Sequence, residues 1–376
     1  MKRIICFFTI ILLCAVGLTV GIYAETVSNP AGSEYSDFFS DLPDSVGQKL
    51  PDGVGGKDLE ADAKELTSWD FLLGAVGGTL AEQLRATFPT LCKILGLLLI
   101  SSALGAVKTS LEPKTARLLG LCSSCAITAA FVMLQIDTLK VTADYLSDLN
   151  LLASGMTPVL IVLYAAGGNV SASAVSGSAM TVFLSLSENM LSRSVIPFAG
   201  SCLCLITVST AATQVGLDGL IKLIKRTYTT FLTFLMSIMC AILGIQNLIA
   251  TGSDSVSLRA AKFVAGSTIP VVGGSVSESM KTLAASIGML RKCFGVSGIV
   301  MIAILTLPTL FLLLLMKFSL NAASAAADIL GCDTEKRLLE GISGIYGCLA
   351  AVVSACSLMF IFLLTLLAGS AVALAG

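Results

Sequence analysis

Residues 294–316 read FGVSGIVMIAILTLPTLFLLLLM, 23 positions with no Asp, Glu, Lys or Arg. A helix of that length runs about 35 Å at ~1.5 Å per residue, enough to cross a hydrocarbon core of about 30 Å. Bilayer interiors offer no water to loose backbone groups, so a crossing segment of this kind must be helical. The stretch has company: Leu118–Ile136, Leu149–Ser187, Ser194–Leu217, Thr227–Ser253 and Gly341–Gly376 are equally free of charge. Hydrophobic residues make up 55% of the 376, charged residues only 12%, and mean hydropathy is +0.92; soluble domains carry about 25% charged residues. These patterns predict an all-α, polytopic helical membrane protein with about 7–8 transmembrane helices and an N-terminal signal sequence.

A seventh charge-free stretch, Ile4–Tyr23, has another meaning. Lys2 and Arg3 precede it and Gly21-Ile-Tyr-Ala24 follows, the order of a secretory signal over residues 1–24, either cleaved or kept as an anchor. Residues 25–70 hold eleven acids against three bases, a net −8, and are studded with Pro and Gly. They read as a flexible, acidic, extracytoplasmic arm rather than a domain with its own core. Nucleic acid is not an expected partner, because such an arm repels phosphates.

Residues 71–88 then read as an amphipathic helix, with Gly74, Gly77 and Gly78 on one side and Glu82 and Arg85 on another. The multi-span domain occupies 89–376. Its expected spans are Pro89–Val107, Leu118–Ile136, Leu151–Gly168, Ala172–Met190, Val195–Gly216, Tyr228–Ala250, Gly295–Met316 and Tyr346–Gly369. The pair within 151–190 also fits a broken or re-entrant hairpin. Loop charges orient the set, since cytoplasmic loops are enriched in Lys and Arg. Loops 108–117 and 217–227 carry net positive charge and belong inside; loop 137–150, with three acids against Lys140, belongs outside.

The segment 251–294 breaks that rule, being basic where counting places it outside. Within Ser257-Leu-Arg-Ala-Ala-Lys-Phe263, Arg259 and Lys262 share a helical face. Pro270 with Gly266, Gly273 and Gly274 interrupts any continuous helix before an amphipathic helix resumes at Ser275–Leu290. A helix, a break and a second helix beside a span form either a coupling or re-entrant element or a plain interfacial loop. Three further charges, Glu188, Arg193 and Asp328, stand at span edges. Such groups line a path or pair with one another when inside the membrane, and all three can also reach an interface. Ser171–Ser178 and the triplet Gly341, Gly344 and Gly347 offer small surfaces for close helix approach.

Catalysis has little in the sequence to support it. The chain has no His, which removes imidazole acid–base chemistry and imidazole zinc sites. It has no GxxxxGK[ST] phosphate loop, so ATP-driven work must come from a partner. Cys122-Ser-Ser-Cys125 has CxxC spacing but lies inside an apolar span with no second pair, and small packing residues explain it. No enzyme, cofactor or metal site is expected.

Ser257–Phe263, Gly266 and Ile269-Pro-Val-Val-Gly273 together resemble the stage III sporulation protein AE family of endospore-forming bacteria. Met156-Thr-Pro158, Ala165-Ala-Gly-Gly168, Gly295-Val-Ser-Gly-Ile299 and Pro308 stand around them in order, and the likeness covers about residues 70–370. The resemblance implies a permease-like component of the mother-cell membrane around the forespore. It implies a place in the secretion-like channel complex that joins mother cell and forespore and sustains forespore development. Its implied partners are the other proteins of the stage III sporulation A complex and the forespore complex of stage II sporulation protein Q, with energy from a separate ATPase. Alternatives from the residues alone are an independent small-solute permease and a non-conducting membrane scaffold.

Overall fold

A computed structural model describes residues 65–369, apart from 168–169, 188–192, 212–216, most of 236–272 and a few single positions. The expected signal sequence and nearly all of the expected acidic arm lie outside the described residues. Described residues form helices and turns, with no strand among them. The helices are α1 (Trp69–Lys108), α2 (Pro113–Met133), α3 (Ile136–Ala166), α4 (Val170–Ser187), α5 (Arg193–Ala211), α6 (219–235), α7 (Gly273–Ile329) and α8 (Asp333–Gly369).

The centre is the hairpin of α7 and α8. Its turn is Leu330-Gly331-Cys332, where Gly331 takes φ +68°, a conformation open to glycine at little cost. There Cys332 N–H donates to Ala327 O at 2.9 Å and Gly331 N–H to Asp328 O at 3.2 Å, closing the end of α7. Asp333 and Glu335 occupy the first turn of α8, where carboxylates complement exposed N–H groups. Around the hairpin, α1 and α3 pack on α7, α5 packs on α8, and α4 packs on α3.

Four helices among the described residues are long and apolar enough to cross a membrane: Asp70–Lys108, Leu118–Ala166, Ser286–Ile329 and Asp333–Thr365. They differ in position. The most apolar windows of the last two are 72% and 78% buried within the protein, against 17% for the first. So the hairpin is the interior, while α1 is peripheral and turns Leu73, Leu84, Phe88, Leu99 and Ile100 outward. Apolar side chains facing outward along a helix suit a lipid surroundings. This is the build of a helical membrane protein.

Several helices are longer than charge-free stretches predict. Residues 71–88 do form a helix, but it continues through Pro89 into the first span as one element of 40 residues. Segment 137–150, expected to be a loop, is the first half of α3. Its apolar positions recur at helical spacing, burying Leu139, Tyr145, Leu146 and Leu149, while Asp137, Lys140 and Asp144 point outward. Most of segment 217–227, likewise expected to be a loop, is the first half of α6. The helix expected at Ser275–Leu290 is present, yet it runs without interruption through Gly295 to Ile329.

Glycine permits two close approaches on α8. A Cβ at Gly341 would stand 2.9 Å from Ile206 Cγ2 of α5, and one at Gly344 would stand 2.7 Å from Lys225 Nζ of α6. The small surface expected at Gly341 and Gly344 is therefore used for packing.

Candidate functional site

A buried polar seam follows α3 where it meets α7 and α8. At one end the guanidinium of Arg291 on α7 lies over the ring of Tyr164 on α3, 3.9 Å from its centroid. Arg291 is 1% exposed and is the largest fully buried side chain among the described residues. Its neighbour Lys292 is exposed, so the helix presents one cation to the interior and one to the outside. A desolvated cation over an aromatic face gains roughly 2 kcal/mol or more. Cations in the interior of a membrane protein are costly, and mark functional positions more often than inert ones.

Further along α3 the Tyr145 hydroxyl sits 2.6 Å from Ser357 Oγ on α8 and 3.2 Å from Thr306 Oγ1 on α7. Thr306 and Ser357 are completely buried, and each also donates to a carbonyl one turn back, Ile302 O at 2.6 Å and Val353 O at 2.7 Å. One cluster thus joins three helices through hydroxyls. At the far end Gln135, in the turn between α2 and α3, accepts from the Tyr346 hydroxyl and donates to Phe131 O at 3.2 Å. Apolar side chains (Leu149, Leu152, Met156 and Leu160 among them) separate the clusters, so the seam is a set of latches rather than a continuous proton wire.

A second cation enters the interior from α6. Lys225 Nζ donates to Gly341 O at 2.8 Å, and Thr229 one turn later sits 2.8 Å from Cys348 Sγ. Burial pushes the Lys225 ammonium below the ordinary lysine range, while the nearby thiols of Cys202 and Cys348 pull the other way. The adjacent Lys222 and Arg226 remain exposed.

Of the residues the sequence singles out, Arg259, Lys262, Gly266, Pro270 and Glu188 lie outside the described residues. Gly273 and Gly274 are the first two residues of α7. Arg193 is exposed at the start of α5. Asp328 is exposed at the end of α7 and accepts from Lys336 Nζ at 2.7 Å, a surface pair across the hairpin turn. Of these, Arg193 and Asp328 have described side chains, and both are exposed, away from the seam. Arg291 and Lys225, which do enter the interior, count in the sequence only as members of basic segments. A signal for Arg291 exists: Ile287, Phe294 and Gly298 stand four before, three after and seven after it, which puts it on the apolar face of its helix.

In comparisons with known proteins, the stage III sporulation protein AE family matches residues 57–371. The stage III sporulation protein AE of Bacillus subtilis (strain 168) is 23% identical over 358 residues, covering 91% of this chain and 86% of that protein. No solved structure matches.

Proposed function

Because the chain belongs to the stage III sporulation protein AE family, we propose that it is a permease-like membrane component of the sporulation channel complex between mother cell and forespore. It is a sporulation protein by family, and its apolar helices fit a multi-pass place in the mother-cell membrane around the forespore. The observation that favours a permease-like part over an inert scaffold is Arg291, a cation held on an aromatic ring inside the bundle. Energy comes from a separate ATPase in this reading, since the sequence has no phosphate loop. No residue is assigned a catalytic role, and the remaining three or four expected spans belong to this proposal.

Deletion of the gene should leave vegetative growth unchanged and halt development after engulfment. Affinity purification from sporulating cells should bring down other stage III sporulation A proteins and the forespore stage II sporulation protein Q complex. A vegetative uptake defect with normal spores would point instead to a solitary permease.

The basic segment at 257–274 is the proposed coupling element. The double reversal Arg259→Glu, Lys262→Glu should abolish spore formation with protein level unchanged. On an ordinary solvated loop such reversals cost about 0.5 kcal/mol or less, and normal spore counts would return the segment to that status.

A further inference from the structure

Between α3 and α4 lies a groove of about 530 Å³, within the range of small-molecule sites. Ser147, Asn150, Ser154 and Thr157 line it from α3, and Thr181 and Ser185 face them from α4. The α3 positions recur at steps of 3, 4 and 3, so they form one helical face. Apart from Ser147 they all come from the charge-free stretch Leu149–Ser187, which is the part of the sequence expected to meet lipid. Leu151, Ile161 and Leu184 complete the lining with Pro158, so hydroxyls and an amide interrupt a wall that is otherwise apolar.

The groove's chemistry is that of an acceptor. Ser154, Thr157 and Thr181 spend their hydroxyl protons on Leu151 O at 2.8 Å, Ala153 O at 3.0 Å and Gly177 O at 2.9 Å, which leaves their oxygens open to receive a donor. Asn150 Nδ2 donates to Leu184 O at 3.2 Å. A carbonyl can only accept, so this bond fixes the amide's orientation, and the Oδ1 behind it is enclosed by protein rather than open to the groove. Pro158, also in the lining, has no N–H to give the Ser154 carbonyl, which adds one more acceptor. At the Ser147 end Asp148 is adjacent in sequence and the exposed Asp144 is one turn away.

We infer that this groove is water-filled and takes a small hydrogen-bond-donating cation of the ammonium class, with the Ser154, Thr157 and Thr181 hydroxyl oxygens as its acceptors and Asp144 and Asp148 setting the sign at its mouth. The inference deepens the permease-like reading and rests on it. It fails separately, because the reading is judged by spores and partners and the groove by the reactivity of single positions.

The test uses the full chain in membrane vesicles, with Ser154→Cys, Thr157→Cys and the outward-facing Val182→Cys compared with the unsubstituted protein, whose own thiols set the background. A trimethylammonium methanethiosulfonate and its sulfonate counterpart are the probes. Each groove variant should gain one modified thiol, at least about tenfold faster with the cationic reagent once each rate is divided by that reagent's rate with a small thiol in solution; Val182→Cys should gain none with either. Asp144→Asn with Asp148→Asn should bring the two rates together while the groove stays reactive. Groove thiols as silent as Val182→Cys, or equal rates for both reagents in the presence of both acids, would overturn the inference.

Discussion

Replacing Arg291 by Glu should remove most of the protein from the membrane. The substitution loses the cation over Tyr164, roughly 2 kcal/mol, and sets a carboxylate against the negative face of the same ring. It also buries a charge without a partner of opposite sign, a change that costs about 3–5 kcal/mol in other buried pairs. Against a total stability of about 5–15 kcal/mol, the sum is a large fraction. Two companions separate folding from function. Lys292→Glu, one residue on and exposed, should stay within about 0.5 kcal/mol of the parent. Arg291→Met keeps an unbranched apolar stem and removes the charge, so it should fold. Immunoblots of the membrane fraction give the first answer and spore counts the second. Full accumulation of Arg291→Glu would show that the interior tolerates a carboxylate at this place and that the seam ends short of it. Normal sporulation with Arg291→Met would leave the cation a structural role only.

The sequence makes the bundle's apolar segments legible for a plain reason. Burial or lipid contact over a whole turn requires that no face carry a charge, and Phe294–Met316 and Gly341–Gly369 do fall inside α7 and α8. What it hides is continuity. A charge-free criterion ends a segment at the first Lys or Asp, yet a helix does not stop for a charge that points outward, as Asp137, Lys140 and Asp144 do on α3, or for one that finds an aromatic face, as Arg291 does. Hence α7 is 57 residues long where the sequence divides it at Gly295. The latches are hidden more deeply. Tyr145 meets Thr306 and Ser357 across separations of 161 and 212 residues, and nothing in local spacing couples positions so far apart. The coupling depends on which helices become neighbours, and apolar helices look alike until they are packed.

Gly341 carries the second large expectation, because two neighbouring helices converge on it. The methyl and methylene carbons of Ile206 stand 2.9–3.1 Å from where a Cβ would be, and a β-branched side chain fixed at χ1 has little room to turn aside. The Gly341 carbonyl meanwhile receives the Lys225 ammonium at 2.8 Å. Gly341→Leu would therefore wedge α5 away from α8 and shift the acceptor of a half-buried cation in the same step. Overpacking costs about 1–3 kcal/mol, and a hydrogen bond involving a charged group adds about 1.5–3 kcal/mol if it is lost. The substitution should destabilise by about 2.5–6 kcal/mol on those terms, read as a fall in the heat-induced aggregation temperature of the detergent-solubilised protein. Gly341→Ala should fall between it and the parent. Gly74→Leu on α1 has nothing within 4 Å of its Cβ position and trades a poor helix former for a good one, worth up to about 1 kcal/mol in the other direction. If Gly341→Leu and Gly74→Leu moved the transition alike, the close approach of α5 and α8 would not be a feature of the folded protein. A large loss at Gly341 together with little change in Lys225→Met, which keeps the stem but not the charge, would place the cost in the helix contact and not in the cation.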